Sequence, residues 1–264
     1  MVLTKLGTLY RKWENWILPA LFVLILLLLL GLRFDYYYDL NDDVLMKDIL
    51  SGVYTGAFES RNVQMLFPLS LILSLVCRIF GTSYVYGLFL CVCQFGSLYV
   101  ILYRSMGYAE KSMGKAALGL LESLLFAALL LPQLVFVQYT VTSGLLTAAA
   151  IFWFLTGKKA EAEKSAGGFL KKNLLPALLC ILAFLLRPPL AGVAGLWKWA
   201  EERPVFTKKN AACYLGVFGL ILAGLLIGQA ANGIAYGSAE WKEFFRLFDA
   251  RTEVYDFKTA DILK

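Results

Sequence analysis

Hydrophobic and polar positions alternate along this chain in blocks of whole segments rather than residue by residue. Trp16 to Leu32 is almost wholly apolar and rich in leucine. At about 1.5 Å per helical residue it reaches roughly 25 Å, enough to cross a bilayer core with little tilt. Further apolar runs cover 63–80, 84–103, a long stretch from Lys115 to Leu155, Leu174 to Trp199, and Ala211 to Ala231. The stretch after Lys115 has about 40 residues, too many for one crossing, so it predicts two helices with a tight turn. Pro132, Gln133, Gln138, Tyr139 and Thr140 supply the turn. Arg187-Pro188-Pro189 divides Leu174–Trp199. Two prolines cannot sit comfortably inside one helix, so two short helices with the arginine at their joint are predicted.

Two polar segments carry a finer pattern. In 33–62, Leu45, Met46, Ile49, Leu50 and Val53 fall on one helical face, with Asp43, Lys47, Asp48 and Ser51 on the other. This predicts an interfacial helix lying on the membrane, ended by Gly52 and Gly56. Tyr36, Tyr37 and Tyr38 fit an interfacial aromatic belt. In the tail, Trp241, Phe244, Phe245 and Phe248 follow i, i+3, i+4, i+7 spacing, a second interfacial helix.

Composition agrees with the blocks. The chain is 59% hydrophobic and 17% charged, against about 45–50% and about 25% for soluble domains. The net charge of +6 lies in short clusters between apolar runs, which fits orientation in a membrane and not a nucleic-acid face. Histidine is absent, which removes the commonest general base and metal ligand. Cys77, Cys91, Cys93, Cys180 and Cys213 all lie in apolar segments and read as buried small hydrophobes, with no disulfide framework and no zinc site.

Charge decides the topology. Segments 1–15, 104–115, 157–172 and 198–209 carry a basic excess, while 33–62 holds six acidic and three basic residues. No small-residue cleavage pattern follows Leu32, so 16–32 reads as a retained anchor. Placing all basic loops inside gives about seven spans: 16–32, 84–103, 116–131, 140–156, 174–186, 190–199 and 211–231. Segment 63–80 is then a re-entrant or surface segment on the outer side, broken by Pro68. The alternative makes 63–80 a crossing and 174–199 one kinked span, which leaves 104–115 and 157–172 outside. The first is preferred. The expectation is an all-α polytopic membrane protein: a transmembrane module over 1–231 and a polar tail over 232–264. The N-terminus is cytoplasmic; loop 33–62 and the tail are extracytoplasmic.

The residues that could carry chemistry are few. Asp42 and Asp43 stand at the start of the first interfacial helix, at headgroup depth, where a carboxylate could activate an acceptor. The plain alternative is a helix cap at Asn41 or Asp42 with Asp43 solvated. Arg187, between apolar helices, is costly unless it snorkels or pairs with an anion, and guanidinium matches phosphate oxygens. Glu122 lies inside a predicted span, which marks function or a polar contact with a neighbouring helix. Asp249, Arg251 and Asp256 follow the aromatic helix and could reach an acceptor or stay solvated.

This set of segments resembles the C-type (GT-C) membrane glycosyltransferases. The similar parts are the anchor followed by NDDVLMKDILSG, the Pro-bearing stretch YTGAFESRNVQMLFPLSLILSLVCRIFGTSYVYGL, the joint LLRPPLAG, and the segment AYGSAEWKEFFRLFDARTEVYDF. The resemblance implies a polyprenyl-phosphate-linked sugar as donor and a cell-envelope acceptor on the outer face. It implies Asp42 as the catalytic carboxylate, Asp43 as its neighbour or the ligand of a divalent metal, and Arg187 on the carrier phosphate. Members usually continue further, so the chain is expected to be the N-terminal part of that architecture. A flippase of lipid-linked sugars and a non-catalytic membrane module are the competing classes.

Overall fold

Apolar runs interrupted by prolines and polar clusters become ten helices among the described residues of the computed structural model, which cover 2–35, 37–38, 41–53, 56–157, 165–188 and 208–252. They are α1 (Val2–Arg33), α2 (Asn41–Ser51), α3 (Phe67–Phe80), α4 (Val85–Met106) and α5 (Ser112–Val135). Then follow α6 (Tyr139–Thr156), α7 (Ala166–Lys172), α8 (Leu174–Leu186), α9 (Lys208–Ala235) and α10 (Ala239–Thr252). Two residue pairs, β1 (Tyr37–Tyr38) and β2 (Phe136–Val137), form a short parallel ladder.

Five helices are long and apolar enough to cross a membrane, within α1, α4, α5, α6 and α9; the pair α7–α8, bent by 55°, makes up to six. The predicted crossing at 190–199 lies outside the described residues.

Side-chain pairs fix how the helices run. Trp16 stacks near Tyr103, and Leu26 and Leu30 pack with Phe95 and Leu98, so α1 and α4 are antiparallel. Gln94 bonds Thr142 and Arg104 bonds Thr156, so α4 and α6 are parallel. Ser143 donates to the Ala183 carbonyl, while Ala150 and Phe154 meet Ala177 and Phe169, so α8 opposes α6. Along α9, Tyr214 meets Phe169, Gly224 faces Ile181 and Gly228 faces Leu185, so α8 and α9 run parallel. The end of α8 and the start of α9 therefore lie at opposite ends of the bundle.

One end of the bundle carries basic segments. Lys115 Nζ donates to Asn15 Oδ1 at 2.6 Å and pairs with Glu14 at 3.5 Å. Segments 1–15 and 104–115 thus share an end, and the alternative with 63–80 as a crossing does not describe this bundle. Helix α3 also stays at the other end. The Leu66 N–H donates to the Leu185 carbonyl and the Phe67 N–H to Asn232 Oδ1. From Phe80 only Gly81–Tyr84 lead to α4, a reach of about 18 Å at most.

Two predicted breaks fall differently. Pro68 does not break 63–80; it occupies the first turn of α3, where its missing N–H costs nothing. Pro132 lies inside α5, and the break comes at Phe136–Gln138, where β2 replaces the helix. At the joint after α8, Arg187 is extended and its N–H closes on the Ala183 carbonyl; Pro188 excludes a helical Arg187. All five cysteines carry free thiols, and Cys77, Cys93, Cys180 and Cys213 are buried in the apolar clusters.

Candidate functional site

The end opposite the basic segments brings the starts of α4 and α6 and the end of α8 together beside α2. Asn41–Ser51 is helical because its apolar residues share a stripe and its first turn is acidic, which suits the helix dipole by about 0.3–1 kcal/mol per charge. Met46 and Leu50 are fully buried, and each contributes about 1.5–3 kcal/mol. Gly52 ends the helix at φ 78; a Cβ there would lie 2.5 Å from the Ala57 carbonyl carbon, so only glycine fits.

The stripe differs from expectation at two positions. Asp43, expected on the polar face with Lys47 and Asp48, is fully buried on the face of Met46 and Leu50. Val53, expected on the apolar face, is exposed. Asp43 is tolerated inside because its Oδ1 accepts the Tyr86 O–H at 2.6 Å and the Tyr139 backbone N–H at 3.1 Å. These charge-assisted bonds offset the burial of a carboxylate. The solvated Asp43 of the plain alternative is thus not what forms.

Asp42 differs from its neighbour. It is half-buried, and Gln64 Nε2 approaches its Oδ2 at 3.4 Å. Of the two carboxylates, Asp42 remains the one open to another molecule, while Asp43 ties α2 to α4 and α6.

Arg187 arrives from α8. Its Nη1 donates to the Tyr139 hydroxyl, and its guanidinium lies 5.1 Å from the Tyr139 ring centre. The Tyr139 backbone N–H bonds Asp43, so one residue links Arg187 to the acidic helix. The structure thus brings the acidic pair and the arginine to one end of the bundle, joined through Tyr139. Tyr38 from β1 stacks on Tyr86 at 5.9 Å. Burial, reinforced by the charge of Asp43, pushes the Tyr38 hydroxyl up to about 12.

The other sequence candidates lie elsewhere. Glu122 accepts the Ser105 hydroxyl at 2.6 Å, the interhelical polar contact named as its alternative. Ser105 is 19 residues along α4 from Tyr86, about 28 Å of helix. Asp249 is exposed on α10. Arg251 lies in the last turn of α10 with its side chain outside the described atoms, and Asp256 lies outside the described residues. The tail still reaches the site end: Tyr236 O–H donates to the Asn62 carbonyl and accepts its N–H, and Arg61 lies 5.9 Å from the Trp241 ring.

Sequence reasoning misses Tyr86, Gln64 and the structural part of Tyr139. Tyr139 and Thr140, polar at the mouth of an apolar run, are the available signal. For a divalent metal the donors fit poorly: among the described residues no three acidic, cysteine or histidine ligands gather, and Asp43 Oδ1 already accepts two protein donors.

No family model, curated protein or solved structure matches this chain. The arrangement must be judged on its own chemistry. It presents a half-open carboxylate beside a buried one, with a guanidinium at the same bundle end. Such a site can accept a proton at Asp42 and hold an anion at Arg187.

Proposed function

We propose that the chain is an integral membrane glycosyltransferase of the C type, moving a sugar from a polyprenyl-phosphate carrier to an acceptor on the outer face. The observation that carries this is that Asp43, from the first loop, and Arg187, from the Pro188 joint, both bond Tyr139, which puts Asp42, the residue before Asp43, at the same bundle end. These segments are far apart in sequence, and their residue types suit complementary halves of one reaction.

In that reaction the acceptor hydroxyl attacks the anomeric carbon. Asp42 takes the hydroxyl proton as the new C–O bond forms. The bond from that carbon to the carrier phosphate breaks, and the polyprenyl phosphate leaves with the electron pair, its charge met by Arg187. Attack opposite the leaving group inverts the sugar. Asp43 holds α2 in place and needs no proton.

Seven crossings and an outer-facing site complete the proposal. The seventh of these crossings is the one the sequence predicts at 190–199. The basic segments at the other bundle end suit the cytoplasmic side. A flippase would want ionisable groups along a path through the bundle. The polar residues between α4, α6 and α8 are instead bonded across or along helices, Gln94 to Thr142 and Ser143 to Ala183.

The test is Asp42→Asn in purified protein reconstituted in nanodiscs, supplied with tritiated hexoses on undecaprenyl phosphate and an envelope-lipid acceptor extract. Transfer by the wild type and its loss of about 10²-fold or more in the inserted, folded variant is expected. Full transfer by Asp42→Asn removes Asp42 from the chemistry.

A further inference from the structure

Tyr139 bonds both the acidic helix and Arg187. Its two bonds come from different parts of it. The backbone N–H holds Asp43 Oδ1 at 3.1 Å, while the side-chain hydroxyl accepts from Arg187 Nη1 and the ring lies under the guanidinium at 5.1 Å. Tyr139 is itself buried, with 2% exposure. Its backbone is set by α6, whose first turn closes when the Thr142 N–H and hydroxyl both bond the Gln138 carbonyl.

An arginine ending an apolar helix has several rotamers, most of which would carry the charge to open water. Here the ring face and the hydroxyl select one. Resting on the transferase function proposed above, we propose that Tyr139 is a positioning residue that fixes the Arg187 guanidinium for the carrier phosphate, at a spacing from the acidic pair set by its own backbone. Arg187 touches the phosphate; Tyr139 acts through Arg187.

The division between backbone and side chain makes this separable. Tyr139→Phe keeps the ring and the N–H to Asp43, and so keeps α2 seated. It removes only the hydroxyl that Arg187 bonds. An ordered guanidinium lost to several rotamers should weaken phosphate binding about tenfold, the scale of one hydrogen bond to a charged group. Arg187→Ala should weaken it further.

The experiment uses the full chain in nanodiscs with undecaprenyl phosphate alone as the binding probe, and undecaprenyl-phosphate-linked hexose for turnover. Wild type, Tyr139→Phe, Arg187→Ala and the double variant are compared. Tyr139→Phe is expected to raise Kd for undecaprenyl phosphate about tenfold and to lower kcat/KM at least as much, and to cost nothing further in the Arg187→Ala background. A second readout needs no ligand: guanidinium nitrogen NMR should show restricted Arg187 rotation in the wild type and free rotation in Tyr139→Phe.

Equal binding by Tyr139→Phe and wild type overturns the proposal while leaving the transferase function in place. So does an additive loss in the double variant, which would mean that Tyr139 acts independently of Arg187. Free Arg187 rotation in the wild type overturns it on structural grounds. A wild type that ignores undecaprenyl phosphate overturns the carrier assignment and, with it, the positioning role of Tyr139.

Discussion

Asp43→Ala and Asp42→Ala, adjacent and chemically identical changes, should differ sharply in their effect on stability. Asp43 is fully buried and its Oδ1 accepts two donors, the Tyr86 hydroxyl at 2.6 Å and the Tyr139 N–H at 3.1 Å. Alanine leaves both donors without that acceptor, at about 1–3 kcal/mol each. Removing a buried charge returns part of this, because its desolvation cost vanishes too. A net loss of about 3 kcal/mol is expected, or a fall in Tm of about 6–12 °C for a chain of this size. Asp42 is half-buried with a single 3.4 Å approach from Gln64, so its loss should cost under about 1 kcal/mol. Asp43→Asn keeps an acceptor oxygen and should fall between. Thermal unfolding in nanodiscs, followed by tryptophan fluorescence, reads all three. If Asp43→Ala unfolds with the wild type, or Asp42→Ala falls as far, Asp43 does not tie α2 to α4 and α6.

The remaining predictions concern orientation and alkaline stability. In intact cells a membrane-impermeant maleimide should label Val53→Cys and spare Met113→Cys, both exposed and at opposite bundle ends; labelling of Met113→Cys alone would invert the orientation. Burial pushes the Tyr236 hydroxyl up to about 12 from an ordinary 10.0. The raised value contributes stability that is fully present below pH 10 and lost as pH rises through about 12. Tyr236→Phe should flatten that loss, read by tyrosinate absorbance alongside unfolding, and a wild type equally stable at both ends of this window would refute it.

The apolar blocks are legible because length and hydropathy suffice to find a spanning helix. Leu174–Leu186 is legible to the residue, since Pro188 forbids a helical Arg187. The α5–α6 turn can be read within a few residues, but Pro132 draws it too early; a proline in a last turn and a proline ending a helix look alike in sequence. Pro68 poses the same ambiguity from the other side, since a helix-breaking and a helix-starting proline differ only in whether the preceding residues are helical. Asp43 misleads for a different reason. A carboxylate beside lysine and aspartate reads as solvated, and only the Tyr86 hydroxyl, 43 residues away, makes the inner face possible. The Tyr139 N–H bond cannot be read at all, because a backbone donor carries no residue identity.

The distance from acid to cation in this site is fixed by helix register, and the register is fixed by polar pins below the site. Arg187 sits at the end of α8 and Tyr139 at the start of α6, so sliding one past the other by a turn would part them by about 5.4 Å. Apolar packing in lipid does not forbid such a slide, since leucine gains little by exchanging a lipid tail for another leucine. A hydrogen bond does. Ser143, one turn into α6, donates to the Ala183 carbonyl one turn before the end of α8, and that carbonyl also accepts the Arg187 N–H. Gln94 and Thr142 pin α4 to α6 in the same layer, below the Tyr86 and Tyr139 groups that hold Asp43. The buried hydroxyls and amide of the interior thus act at a distance on the site, by setting which turn of each helix arrives at its mouth.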